Sequence, residues 1–197
     1  LNAAPMAQDG YEACLKASAA EVAEGNVGAG TGALVGKVCG IQQAMRGGLG
    51  TAGIRLPSGL IVGVIVVVNT FGDVRNYENN QIIAGARTTN GDFVDAVKYL
   101  LGEKEASTDC QFNTLIGVVA TNANLNKAQL TKVAQMAQDG VSQVITPAHT
   151  MYDGDTFFAL ASGKERIDAD INLVGVAAAE LVKQAIHRAI LKSLPET

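Results

Sequence analysis

A layered α/β domain is the fold this sequence predicts, and three observations predict it. The stretch "LIVGVIVVV" (Leu60 to Val68) is uninterruptedly apolar and reads as a central β-strand. The closing segment "LVGVAAAELVKQAIHRAI" carries an apolar stripe at 3.6-residue spacing, the pattern of a long helix with one buried face. Strand and helix signals alternate along the chain, which argues for layers of both around a shared core. At 197 residues the chain suits one sizeable domain.

The elements follow in order. "DGYEACLKASAAEVAEG" predicts a first helix, with Asp9 as N-cap and Gly25 just past its end. A glycine-dense loop, "GNVGAGTGALVGKVCG", comes next. Strands are expected at Gly53 to Leu56 and Leu60 to Thr70, joined by the hairpin residues "PSG". "FGDVRN" reads as a turn, "QIIAGAR" as a short strand and "DFVDAVKYLL" as a brief helix ending at Gly102. A polar linker covers 103–113. Beyond it come a strand from Leu115 to Thr121 and a helix from its N-cap Asn126 to Gly140. After the loop "TPAHTMYDG", a strand "DTFFALAS" leads to a final helix from about Asn172 to Leu194.

Composition narrows the function. The net charge of −4 supplies no basic field for a phosphate backbone, so nucleic acid is not an expected partner. The longest apolar run falls well short of the about 20 residues of a membrane-spanning helix, and no secretory signal is expected. Cys14, Cys39 and Cys110 are odd in number and lack metal-ligand spacing, so they are expected as free structural thiols in a reducing, cytoplasmic compartment. The chain begins with Leu1 rather than Met, and a segment upstream is expected.

Several residues invite chemistry, each beside a plainer reading. The glycine loop is not a phosphate loop: Thr31 stands where its first glycine belongs, and Val38 follows Gly36-Lys37 in place of Ser or Thr. Gly28, Gly30 and Gly32 also miss the dinucleotide spacing, so close backbone packing explains them. Lys37 could sit near a reacting centre, although alone it reads as a surface charge. His187 is expected on the solvent edge of the last helix, and His149 could serve a site. Neither belongs to a nucleophile-histidine-acid order. Asp153 and Asp155 flank Gly154 ahead of a strand, as a solvated turn or as paired carboxylates. Asn69 ends the most apolar strand, either as a cap or as an amide aimed at an oxyanion.

The join at Asn113–Thr114 is the sharpest feature. A polar, charged stretch stops there and an apolar strand starts. Threonine acts as a nucleophile when it is N-terminal, because its own amine is then the general base. Inside a chain that amine does not exist, so the bond from Asn113 must first be cut by the Thr114 hydroxyl.

The stretch "NTLIGVVATNANLNKAQLTKVAQMAQDGVSQVITPAHTMYDGDTFFAL", with "GYEACLKAS", "GNVGAGTGALVGKVCG" and "GLIVGVIVVVNTFGDV" upstream, resembles the self-cleaving S58 peptidases. That group includes DmpA-type L-aminopeptidase/D-esterases, β-peptidyl aminopeptidases and 6-aminohexanoate oligomer hydrolases. The resemblance implies a four-layer αββα sandwich similar to N-terminal-nucleophile hydrolases. It implies an α chain, 1–113, and a β chain, 114–197, that stay associated after cleavage, in a homo-oligomer (a tetramer of αβ units).

Carried onto this sequence, the resemblance makes Thr114 the nucleophile, Asp153 and Asp155 its partners, Asn69 the oxyanion residue and Lys37 a neighbour of the nucleophile. The Asp/Asp pair is similar to the 6-aminohexanoate branch. Family members also carry a further segment with an active-site tyrosine, which has no counterpart in this sequence. A small peptide or amide is the expected substrate, with no metal or organic cofactor needed. Two alternatives stay open: acyl transfer of the ornithine acetyltransferase type, and a non-catalytic domain that binds through the glycine loop.

Overall fold

The computed structural model describes residues 4–102, 104–107, 113–162 and 167–194. Helix α1 (Ala7–Lys16) leads into strands β1 (Leu34–Val35), β2 (Met45–Arg46), β3 (Gly48–Arg55) and β4 (Ile61–Val68). Strands β5 (Asp73–Arg75) and β6 (Ile82–Ala84) precede helix α2 (Ala96–Leu101). Then come β7 (Ile116–Thr121), α3 (Lys127–Ser142), β8 (Ile145–Thr146), β9 (Thr156–Ala161) and α4 (Ile171–Leu191). Among the described residues no helix is long and apolar enough to cross a membrane.

The main sheet has the order β3-β4-β7-β9, antiparallel except for the parallel pair β7 and β9. Strand β4 explains the layering. Its even positions Val62, Val64, Val66 and Val68 are buried, while Ile61, Gly63, Ile65 and Val67 on the opposite face are half-buried. Period-2 alternation puts the even set against α3 and α4. Helix α4 joins that core through Val174, Ala178, Val182, Ala185 and Ile186. Small residues allow the close approach: a β-carbon on Gly50 would lie 2.0 Å from the Ala185 carbonyl. The other face of the sheet displays Ile116, Phe158 and Leu160, all exposed. A second sheet has the order β6-β5-β8.

The strong local signals hold. Helix α3 starts at Asn126, whose side chain accepts the Gln129 N–H while Gln129 returns a bond to the Asn126 N–H. Helix α4 begins behind Asp170, whose carboxylate accepts the Asn172 N–H.

Other expectations are corrected. The first helix stops at Lys16, with Met6 rather than Asp9 at its N-cap, and buries nothing. Long-range bonds draw the next residues into coil: Gly25 exchanges backbone hydrogen bonds with Leu49 in both directions. "FGDVRN" is not a plain turn, since Asp73–Arg75 pair with strands on both sides. Cys14 is exposed on α1, Cys39 is half-buried, and Cys110 lies outside the described residues. His187 is half-buried too, edge-on to Tyr77 at 5.4 Å, and burial lowers its pKa.

A second long-range tie sits beside Gly25. Glu24 accepts the Thr51 N–H at 2.7 Å and hydroxyl at 2.8 Å, and receives both branches of the Arg188 guanidinium, with Nε at 3.0 Å. Chiefly through the Arg188 bond, its carboxyl is lowered from 4.5 to about 2. A depressed carboxylate stabilises the fold above its unfolded pKa and loses that contribution as pH falls through the folded value. Melting temperatures of parent and Glu24→Gln should therefore converge between about pH 4.5 and pH 2. A constant gap across that window would contradict this role.

Candidate active site

Strand register assembles the site at one end of the main sheet. Between the antiparallel strands β4 and β7, Val67 faces Ile116. Continuing that register past both strand ends brings Asn69 level with Thr114, and the Thr114 N–H donates to the Asn69 carbonyl at 2.7 Å. Between the parallel strands β7 and β9, Ile116 lies beside Thr156. The same register backwards pairs Asn113 with Asp153, and the Gly154 N–H donates to the Asn113 carbonyl at 2.7 Å. The two polar groups of the Asn113–Thr114 peptide are thus each held by a different neighbouring strand. Asn113 is buried and Thr114 half-buried.

The glycine-rich loop packs against the end of β4. Gly36 has φ 74°, and a β-carbon on it would lie 2.2 Å from the Ala86 nitrogen. It donates to the Gly72 carbonyl at 3.1 Å, and Lys37 donates to the Phe71 carbonyl at 3.0 Å. This turn delivers Lys37, which is no surface charge: it is 3% exposed, and its Nζ donates to Asn69 Oδ1 at 2.9 Å. The Leu34 N–H donates to the same oxygen at 3.1 Å. An amide whose oxygen is held by two donors has its NH2 group turned the other way.

The carboxylates are ordered rather than solvated. Asp155 Oδ1 accepts the Leu115 N–H at 2.8 Å, Oδ2 lies 3.4 Å from His149 Nδ1, and the side chain is 6% exposed. Burial pushes its carboxyl up; the Leu115 N–H and His149 pull the other way, and Asp153 adds to the rise. Asp153 Oδ2 accepts the Thr150 N–H at 3.0 Å and hydroxyl at 2.8 Å. Its Oδ1 is buried and, among the described residues, has no hydrogen-bond partner.

Pleating separates these groups from the Thr114 hydroxyl. Thr114 and Gly154 share one face of the paired segments, and a β-carbon on Gly154 would lie 2.9 Å from Thr114 Oγ1. Asn113, Asp153 and Asp155 alternate to the other face. Among the described residues, no hydrogen bond joins Thr114 Oγ1 to either carboxylate.

Of the five expected site residues, Lys37 and Asn69 are bonded and Thr114 sits on the Asn69 carbonyl, while Asp153 and Asp155 lie on the adjoining strand segment, on the face opposite the Thr114 hydroxyl. Sequence reasoning underrated His149 and missed Thr150 and the Gly154 N–H. The only signal of His149 and Thr150 was position, in the loop before "YDGD". In the glycine loop, Gly30 and Gly36 are packed against backbone as expected, whereas Gly28 and Gly32 face open space and are explained instead by their positive φ of 51° and 78°.

Comparison with known proteins bears on this arrangement. An uncharacterized aminopeptidase of Mycobacterium tuberculosis is 34% identical over 213 residues, covering 98% of this chain and 60% of that protein. A 6-aminohexanoate-oligomer endohydrolase of Paenarthrobacter ureafaciens is 26% identical over 186 residues, 86% of this chain and 51% of its own length. The chain therefore spans between half and three-fifths of these relatives. The solved L-aminopeptidase D-Ala-esterase/amidase of Ochrobactrum anthropi, a variant of the N-terminal-nucleophile hydrolase fold, matches with a TM-score of 0.64 at 20% identity. That match covers 94% of this chain and 49% of that one. The expected α/β sandwich is accordingly the fold, with α3, α4 and the main sheet as two of its layers. The model of peptidase family S58 takes in residues 1–195, the glycine loop, the Asn113–Thr114 join and the Asp-Gly-Asp turn together, and the chain belongs to that family.

Proposed function

We propose that this chain forms the catalytic core of a self-processing amide hydrolase whose nucleophile is Thr114. The observation that carries the reading is the grip on one peptide bond. Asn69 holds the N–H of Asn113–Thr114 and Gly154 holds its carbonyl, beside the hydroxyl that would attack it. Cleavage frees the Thr114 amine, whose unperturbed pKa of about 7.7–8.0 leaves a useful neutral fraction near pH 7. That amine takes the hydroxyl proton as Oγ1 adds to a substrate carbonyl, and water then releases the acyl group.

The remaining residues take supporting roles. Asn69, its oxygen held by Leu34 and Lys37, presents its amide NH2 to the oxyanion, with the Lys37 charge close by. Asp155 steadies the backbone one residue beyond the nucleophile. Asp153 Oδ1 is suited to the new ammonium. A buried acceptor left without a donor costs about 1–3 kcal/mol, and cleavage supplies a donor.

Linear amides are the substrate class this supports, in line with the aminopeptidase and 6-aminohexanoate-oligomer endohydrolase among the relatives. The working unit in this reading is a homo-oligomer of associated α and β chains. Purified protein is expected to contain a C-terminal piece of 84 residues, 114–197, whose N-terminal sequence begins Thr-Leu-Ile-Gly. An intact single chain that hydrolyses aminoacyl, β-aminoacyl or 6-aminohexanoyl amides would remove the mechanism.

A further inference from the structure

We infer that the backbone N–H of Gly154 is the oxyanion donor of the self-cleavage step, separate from the Asn69 side chain proposed for turnover. The inference rests on the self-processing reading above and assigns a group that reading leaves open. The Gly154 N–H already lies 2.7 Å from the Asn113 carbonyl oxygen in the uncleaved chain. That oxygen becomes negative when Thr114 Oγ1 adds to its carbon. A donor in place before attack needs no reorganisation, and its bond strengthens as the oxygen gains charge, which lowers the barrier by the difference.

Two further features favour this donor. The Asn113–Asp153 bridge and the Thr156 N–H bond to the Leu115 carbonyl, 2.9 Å, bracket Gly154. Parallel strand pairing therefore holds its amide rigidly. Its missing side chain also matters, because a β-carbon there would stand 2.9 Å from Thr114 Oγ1 and crowd the attacking hydroxyl. Asn69, by contrast, meets the peptide from the opposite side, through its carbonyl on the Thr114 N–H.

The chemistry balances. Thr114 Oγ1 bonds to the Asn113 carbonyl carbon, and the Gly154 N–H stabilises the resulting alkoxide. The C–N bond then breaks, and the hydroxyl proton ends on the Thr114 nitrogen, leaving an ester between the Asn113 acyl group and Thr114 Oγ1. Water adds to that ester, yielding the Asn113 carboxylate and restoring the Thr114 hydroxyl.

The test replaces the Gly154 amide with an ester, by incorporating glycolic acid at position 154, which deletes the N–H and keeps the shape. Cleavage is followed by mass after folding, with circular dichroism as the check on structure. Loss of one oxyanion donor typically slows a reaction about 10²- to 10³-fold, and a fall of that order is expected here. A folded ester variant that cleaves at the parent rate would overturn the inference. A parent that never cleaves at Asn113–Thr114 would instead sink the self-processing reading itself.

A second measurement avoids the ester. In uncleavable Thr114→Ala protein labelled with ¹⁵N and ¹³C, a scalar coupling across the hydrogen bond should join the Gly154 nitrogen to the Asn113 carbonyl carbon. No coupling in a folded sample would show that the donor is not in place, and would also overturn the inference.

Discussion

In a Thr114→Ala chain, neither cleavage at Asn113–Thr114 nor amide hydrolysis is expected. Both steps use the same hydroxyl, so one substitution should remove both. Loss of a nucleophile that acts together with its base typically lowers kcat about 10⁶-fold, leaving only what binding and oxyanion donors supply. The fold should survive, because the bonds that seat this residue are backbone bonds that alanine keeps: Thr114 N–H to the Asn69 carbonyl and Leu115 N–H to Asp155. Thr114→Ser keeps a hydroxyl and should retain part of both activities. Mass spectrometry and an amide assay on the purified variants decide the matter. An Ala variant that stays uncleaved yet hydrolyses at the parent rate would place the nucleophile elsewhere.

For Asp155→Asn, the expected result is a large fall in kcat with stability at neutral pH unchanged or raised. Asn keeps the acceptor for Leu115 but removes the charge that faces His149, and loss of a charged positioning group typically costs on the order of 10² to 10⁴ in rate. The stability expectation follows from its pKa, which burial lifts above the ordinary 3.8. A carboxyl raised in the fold contributes stability fully below its unfolded pKa and loses it as pH rises through the folded value. At pH 7 the buried charge is therefore a burden, which Asn relieves while keeping an acceptor for the Leu115 N–H. The same rise should move the acid limb of the parent rate profile upward from the ordinary Asp value, since the charged form is the one that works. Already-cleaved protein must be used, so that impaired processing is not read as impaired turnover. Parent-level turnover, or a lowered melting temperature with no change in rate, would return Asp155 to a purely structural role.

The sequence determined on its own those features whose free energy is local. The apolar run of β4, the reciprocal cap at Asn126 and Gln129, and the apolar stripe of α4 each depend on residues a few positions apart, and all three stand in the structure. The join at Asn113–Thr114 was legible for the same reason, as a change of composition along the chain.

What lies between distant residues was not legible. Lys37 looked like a surface charge because nothing near it in sequence could bury it; its partner Asn69 is 32 positions away. Helix α1 was overextended because Gly25 pairs with Leu49, and strand β5 was hidden because it is short and one of its two partners, β8, is remote. The Gly154 N–H carries no sequence signal at all, since every residue but proline has one. Its place against the Asn113 carbonyl comes from the register of β7 with β9, which the packing of whole strands sets over a separation of 40 residues. Strand pairing of this kind is decided only when the sheet buries one face against α3 and α4. A slip of β7 by one residue would turn Thr114 away from Gly154 and the buried Leu115 and Val119 toward solvent.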